Sequence, residues 1–189
     1  MGNRPAPAPS TLWGIGLGGV GALLALTGLL ATHRVEAIKN PMDPVLLAVY
    51  VLPVLGPAAL FWAVGRAFDM GLFWLFGTAA WALLGYLMIF VTPPATASAS
   101  LPATIGFMAL AFAATVAALT PPLYGLGWAL FRGRIHRHDL RRAVRQAALG
   151  GLYLVACLGM ALFSLLNGLN ALLLFVVLAL MEFFFLSRG

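Results

Sequence analysis

Apolar residues run through this chain in blocks too long for the core of a soluble domain, broken by short polar stretches, and the pattern predicts six membrane-crossing helices. The expected spans are residues 12–32, 45–64, 72–91, 103–131, 140–166 and 171–186. At about 1.5 Å per helical residue most of these blocks cover a hydrocarbon layer of about 30 Å, and the last is short for it. Ahead of them, residues 1–11 are an Ala/Pro-rich tail expected to be disordered, and residues 12–189 are expected to form a single transmembrane domain. The first block is longer than a signal-peptide core and runs into the charged HRVEAIK rather than a small-residue cleavage site, so it reads as a retained span. The fold expected is an all-α, polytopic transmembrane helical bundle.

Residue types inside the blocks refine this picture. Gly14, Gly18 and Ala22 fall four apart in the first span and predict a face on which another helix approaches closely. Pro53 and Pro57 predict a kink in the second span, because each removes a backbone donor and crowds the preceding turn. Arg66 and Asp69 are spaced to pair if that helix continues. The uncharged TPPATASASLP of residues 92–102 is expected to be an exposed loop. Residues 103–131 as one straight helix would measure about 43 Å, well over the hydrocarbon thickness, so a break or strong kink is expected at Pro121 and Pro122. Asp139 is placed to cap a fifth helix that carries Leu140, Val144, Ala147 and Ala148 on one side and Arg141, Arg142 and Arg145 on another. Asn167, Gly168 and Asn170 mark a tight turn.

Composition agrees with the pattern. Of 189 residues 62% are hydrophobic and 8% charged, with a mean hydropathy of +1.01, and no water-facing surface can be built from that. The net charge of +6 is concentrated: Arg132, Arg134, Arg137, Arg141, Arg142 and Arg145 lie in FRGRIHRHDLRRAVRQ, between apolar blocks. Anionic lipid headgroups, or an acidic partner, suit that position, and nucleic acid does not, since no recognition fold accompanies the charge. Placing this stretch in the cytoplasm puts Arg4, Arg66 and Arg188 there too and leaves outside, of eleven basic residues, only Arg34 and Lys39. Both termini are then cytoplasmic, and Trp13, Trp62, Trp74 and Trp128 fall near that interface.

Candidate chemistry is sparse. His33, His136 and His138 all lie at or beyond span ends, where they suit neither an embedded haem nor a metal beside so many arginines. Asp43, Asp69 and Asp139 are dispersed, and Ser164 and Cys157 have no base at membrane depth, so no catalytic, cofactor or metal site is expected. Glu182 is the one carboxylate inside a span, and an ionisable group there is a functional candidate; pairing with Arg66, Arg188 or a loop arginine is the simpler role. The last fifty residues, with LRRAVRQ opening one apolar helix and EFFFLSR closing the next, resemble a two-helix pattern of small uncharacterised bacterial membrane proteins, a resemblance that implies no function. These features favour a non-catalytic subunit, structural or accessory, of a larger complex in the bacterial inner membrane, with lipids and other membrane subunits as partners. The alternative is a small transport or substrate-capture protein. Six helices with both termini inside are similar in plan to the substrate-binding membrane components of vitamin uptake systems.

Overall fold

Six helices follow one another in the computed structural model, which describes residues 9–32, 44–91, 101–130 and 140–188. They are α1 (Pro9–Thr32), α2 (Pro44–Ala67), α3 (Phe73–Phe90), α4 (Leu101–Leu130), α5 (Leu140–Leu162) and α6 (Gly168–Arg188), with no strand among the described residues. Helices α2 to α6 are each long and apolar enough to cross a membrane, while the qualifying apolar stretch of α1 is Ser10–Ala25. The architecture is therefore all-α and multi-pass. Most of the expected tail, residues 1–8, lies outside the described residues, as do residues 92–100, 131–138 and Asp139; Pro9, Ser10 and Thr11, assigned to that tail, instead form the first turn of α1.

The chain divides into two compact units, Met1–Tyr86 and Leu87–Gly189. In the first, α1 and α2 meet through backbone. A Cβ on Gly19 would stand 2.7 Å from the Gly56 carbonyl oxygen and 2.7 Å from the Leu60 nitrogen, so only glycine permits this approach. Gly16 against Ala63 and Leu23 against Gly56 extend the contact one turn each way. Pro53 and Pro57 both lie within α2 and are almost wholly buried. They serve as packing surface: a Cβ on Gly85 of α3 would come 3.4 Å from Pro53. The Tyr86 hydroxyl donates to the Tyr50 carbonyl, one residue beyond the Val49 carbonyl whose helical donor Pro53 removes. Phe61 fills the space over Gly77 and meets Phe73 edge-on, with ring centroids 6.2 Å apart.

Helix α2 stops where a carboxylate side chain takes a left-handed backbone. Asp69 has φ 52°, and the Met70 amide donates to the Gly65 carbonyl at 2.9 Å, the six-to-one bond of a Schellman cap. The helix does not continue through Asp69, so the spacing that would pair it with Arg66 is not realised; the Arg66 guanidinium lies 6.0 Å from the Trp62 ring. The second unit repeats the device at the end of α5. Ser164 has φ 57°, and the Leu165 amide donates to Met160 at 2.7 Å. Asn167 then caps α6, its Oδ1 accepting from the Asn170 amide at 2.7 Å, so the expected tight turn is a helix N-cap and α6 starts three residues earlier than residue 171.

Of the break or strong kink expected at Pro121 and Pro122, a break is absent: α4 runs through both prolines as one 30-residue helix. Pro121 is buried, and Thr120, fully buried beside it, satisfies its hydroxyl on the Val116 carbonyl at 2.7 Å. The partner of α4 is α5, joined by small side chains. Ala114 and Ala117 on α4 and Ala143, Ala147 and Gly151 on α5 are buried, and a Cβ on Gly151 would meet Phe112 and Val116 within 3.2 Å. The packed side of α5 is thus 143–147–151, four apart, and Val144, assigned to that side, is exposed. With lipid as apolar as leucine, close backbone approach gains more than bulky side chains do.

Candidate functional site

Helix α6 touches α5 along a narrower seam, and Arg145, Gln146 and Glu182 meet in it. Glu182 accepts from Arg145 Nε and Nη2, both at 3.2 Å, and from Gln146 Nε2 at 3.1 Å. The pairing is bidentate, with each guanidinium nitrogen on its own carboxylate oxygen, the geometry that makes an arginine pair directional. Glu182 is the more enclosed partner, its side chain 16% exposed against 39% for Arg145. Phe185, one turn along α6, presents its ring 5.8 Å from the Arg145 guanidinium. Two adjacent residues of α5 therefore close on one carboxylate of α6. Such an arrangement orients helices; with its lone pairs engaged by three donors, the carboxylate is held as a structural acceptor.

Deeper along the same seam Tyr153 and Phe175 stack edge-on at 6.1 Å, and between them and Glu182 lies an open cleft of about 250 Å³. Leu149, Gly150, Leu178 and Ala179 complete its walls. The cleft is polar at the Gln146–Glu182 end and apolar for the rest of its length.

Of the residues singled out in the sequence, the structure brings together Glu182 and Arg145. Arg141 is exposed and Arg142 half-buried on the first turns of α5, while Arg132, Arg134 and Arg137 lie outside the described residues, as do all three histidines. Gly14 and Gly18 do not face α2: a Cβ on either would meet no neighbour within 4 Å among the described residues, and the same holds for Gly21. The close approach uses Gly19 instead. Sequence reasoning missed Gln146, although it shares a helical face with Arg142, Leu149 and Tyr153 through intervals of three and four. Compared with protein-family models, characterised proteins and solved structures, the chain matches none.

Proposed function

We propose that this chain is a non-catalytic integral subunit of a larger membrane assembly in a bacterial cytoplasmic membrane, oriented with its basic stretch and both termini in the cytoplasm. The observation that carries the reading is the second glycine face of α1. Gly19 is consumed by α2, yet Gly14, Gly18 and Gly21 stand on another side of the helix with nothing among the described residues within 4 Å. Each glycine costs a helix about 1 kcal/mol relative to alanine. Lipid chains return nothing for it, whereas a partner helix does, because the missing Cβ lets two backbones approach.

Gly18→Leu tests the reading. It should leave the thermal stability of the purified chain unchanged and abolish its co-purification with a partner from native membranes. A chain that is extracted from native membranes under mild conditions without any crosslinkable partner overturns it. The substrate-capture alternative gains little from the proline pair, since Pro53 and Pro57 are buried packing residues.

A further inference from the structure

We propose that the chain is an internal repeat, one arrangement of three consecutive helices built twice at an interval of 95 residues, in which a polar clasp at the same point fastens the third helix to the second. The interval recurs in the elements. Helices α2 and α5 end 95 residues apart, at 67 and 162, and α3 and α6 begin 95 residues apart, at 73 and 168. The start of α5 falls within one residue of that register, and α4 overruns the register of α1 by three residues at each end. The caps repeat bond for bond. Asp69 and Ser164 take the left-handed backbone, the Met70 and Leu165 amides donate to Gly65 and Met160, and the Phe68 and Phe163 amides donate to Val64 and Gly159.

A cap alone carries little, since many helices end this way. The packing extends the register along the helix. Gly56 and Gly151, each thirteen residues before its left-handed residue, are both buried against the first helix of the three: a Cβ on Gly56 would stand 3.1 Å from Leu23 of α1, and one on Gly151 would stand 3.1 Å from Phe112 of α4. Gly19 of α1 and Ala114 of α4, also 95 apart, are both buried. The clasps complete the series. Tyr86 of α3 donates to Tyr50 in the second turn of α2, and Glu182 of α6 accepts from Arg145 in the second turn of α5. Tyr50 and Arg145 are 95 residues apart, and Tyr86 and Glu182 fall within one residue of that interval. At about 3.6 residues per turn a fixed separation is also a fixed direction, so glycine seat, cap and clasp take the same depths and angles around α2 and around α5. Side chains differ within that frame: Val49 and Val144, Gly56 and Gly151, and Phe68 and Phe163 agree, while the clasp changes from a hydroxyl on a carbonyl to a carboxylate on a guanidinium. The proposal is independent of the subunit reading, because every contact in it lies within one compact unit.

A transplanted clasp tests it. The bond to Tyr50 runs to its backbone, and the repeat adds that a side chain at 50 points toward the third helix as that of Arg145 does. Tyr50→Arg with Tyr86→Glu should therefore couple by roughly fivefold or more in the unfolding equilibrium of the full chain, read by a double-mutant cycle in mixed micelles. Tyr50→Arg with Leu83→Glu, one turn earlier on α3, should not couple. No coupling in the first pair, or equal coupling in both, overturns the proposal. Where Tyr86→Glu fails to fold, nitroxide labels on cysteines placed in a Cys157→Ser background decide. Labels at Ala59 and Ala79 should report the same separation as labels at Leu154 and Leu174, and a difference of about 5 Å or more, one helical turn, overturns the proposal.

Discussion

The α1–α2 contact and the α5–α6 contact solve one problem in opposite ways. Inside a bilayer no hydrophobic gain drives helices together, so adhesion has to come from close packing or from polar groups. Helices α1 and α2 take the first route, with Gly19 laid against the backbone of Gly56 and Leu60. Helices α5 and α6 take the second, with Glu182 held by Arg145 and Gln146 and a cleft left beside the clasp. The difference lies in tolerance. A backbone contact admits no added atom, whereas a clasp of long side chains leaves room next to it.

The sharpest break in that comparison is Gly19→Ala. Its new methyl group would stand 2.7 Å from two backbone atoms that cannot rotate away, so α1 and α2 must part. A loss of about 2–3 kcal/mol is expected in denaturant titrations in mixed micelles, at the upper end of overpacking costs. Gly18→Ala, one residue away and open, should change stability by less than about 0.5 kcal/mol in the same titration.

Glu182→Ala comes next. It leaves Arg145 without its carboxylate, and because that arginine is 39% exposed the cost is reduced to about 1–2 kcal/mol from the 3–5 of a fully buried pair. The paired change Arg145→Gln with Glu182→Gln should recover part of the loss, and a double-mutant cycle with no coupling would show that the clasp does not hold α6.

Two smaller glycine changes distinguish rigid from yielding neighbours. Gly77→Ala drives a methyl into the Phe61 ring, which is itself stacked on Phe73, and should cost about 1–2 kcal/mol. Gly150→Ala meets only the end of the Leu119 side chain and should cost less than about 0.5 kcal/mol, the methyl rotating aside. Effects of the opposite sign belong to the feature that both units share. Asp69→Gly and Ser164→Gly relieve left-handed backbone at the two caps, and each should raise the unfolding midpoint by an amount equivalent to about 0.5–1 kcal/mol.

Much of the architecture was legible because lipid imposes a simple rule. A helix satisfies its own backbone, so an apolar block of sufficient length in a chain this poor in charge has one stable solution. The described cores of all six helices fall inside the expected blocks. The places where expectation failed are those where a local rule met a tertiary contact. Pro121 and Pro122 read as a break or strong kink, but the helix runs on through them without a break, Pro121 buried and Pro122 exposed. Asn167 and Asn170 read as a turn, and the Asn167 side chain also caps α6, while that of Asn170 donates back to the Leu165 carbonyl of the connection.

The sequence by itself determined the six helices of the described residues, that five of them are long and apolar enough to cross a membrane, that charge is gathered between the fourth and fifth, and that Glu182 needs a partner. Tertiary structure decided which faces meet. Gly14, Gly16, Gly18, Gly19 and Gly21 cover more than one side of α1, so spacing alone offers several approach faces, and only the seating of Gly56 and Leu60 selects Gly19. In the same way any arginine near the span ends was a candidate for Glu182. The choice of Arg145, with Gln146 beside it, follows from the rotation of α5 about its axis, which Ala143, Ala147 and Gly151 fix by packing on α4. Helical period places residues on faces; it carries no information about which face a neighbour will take.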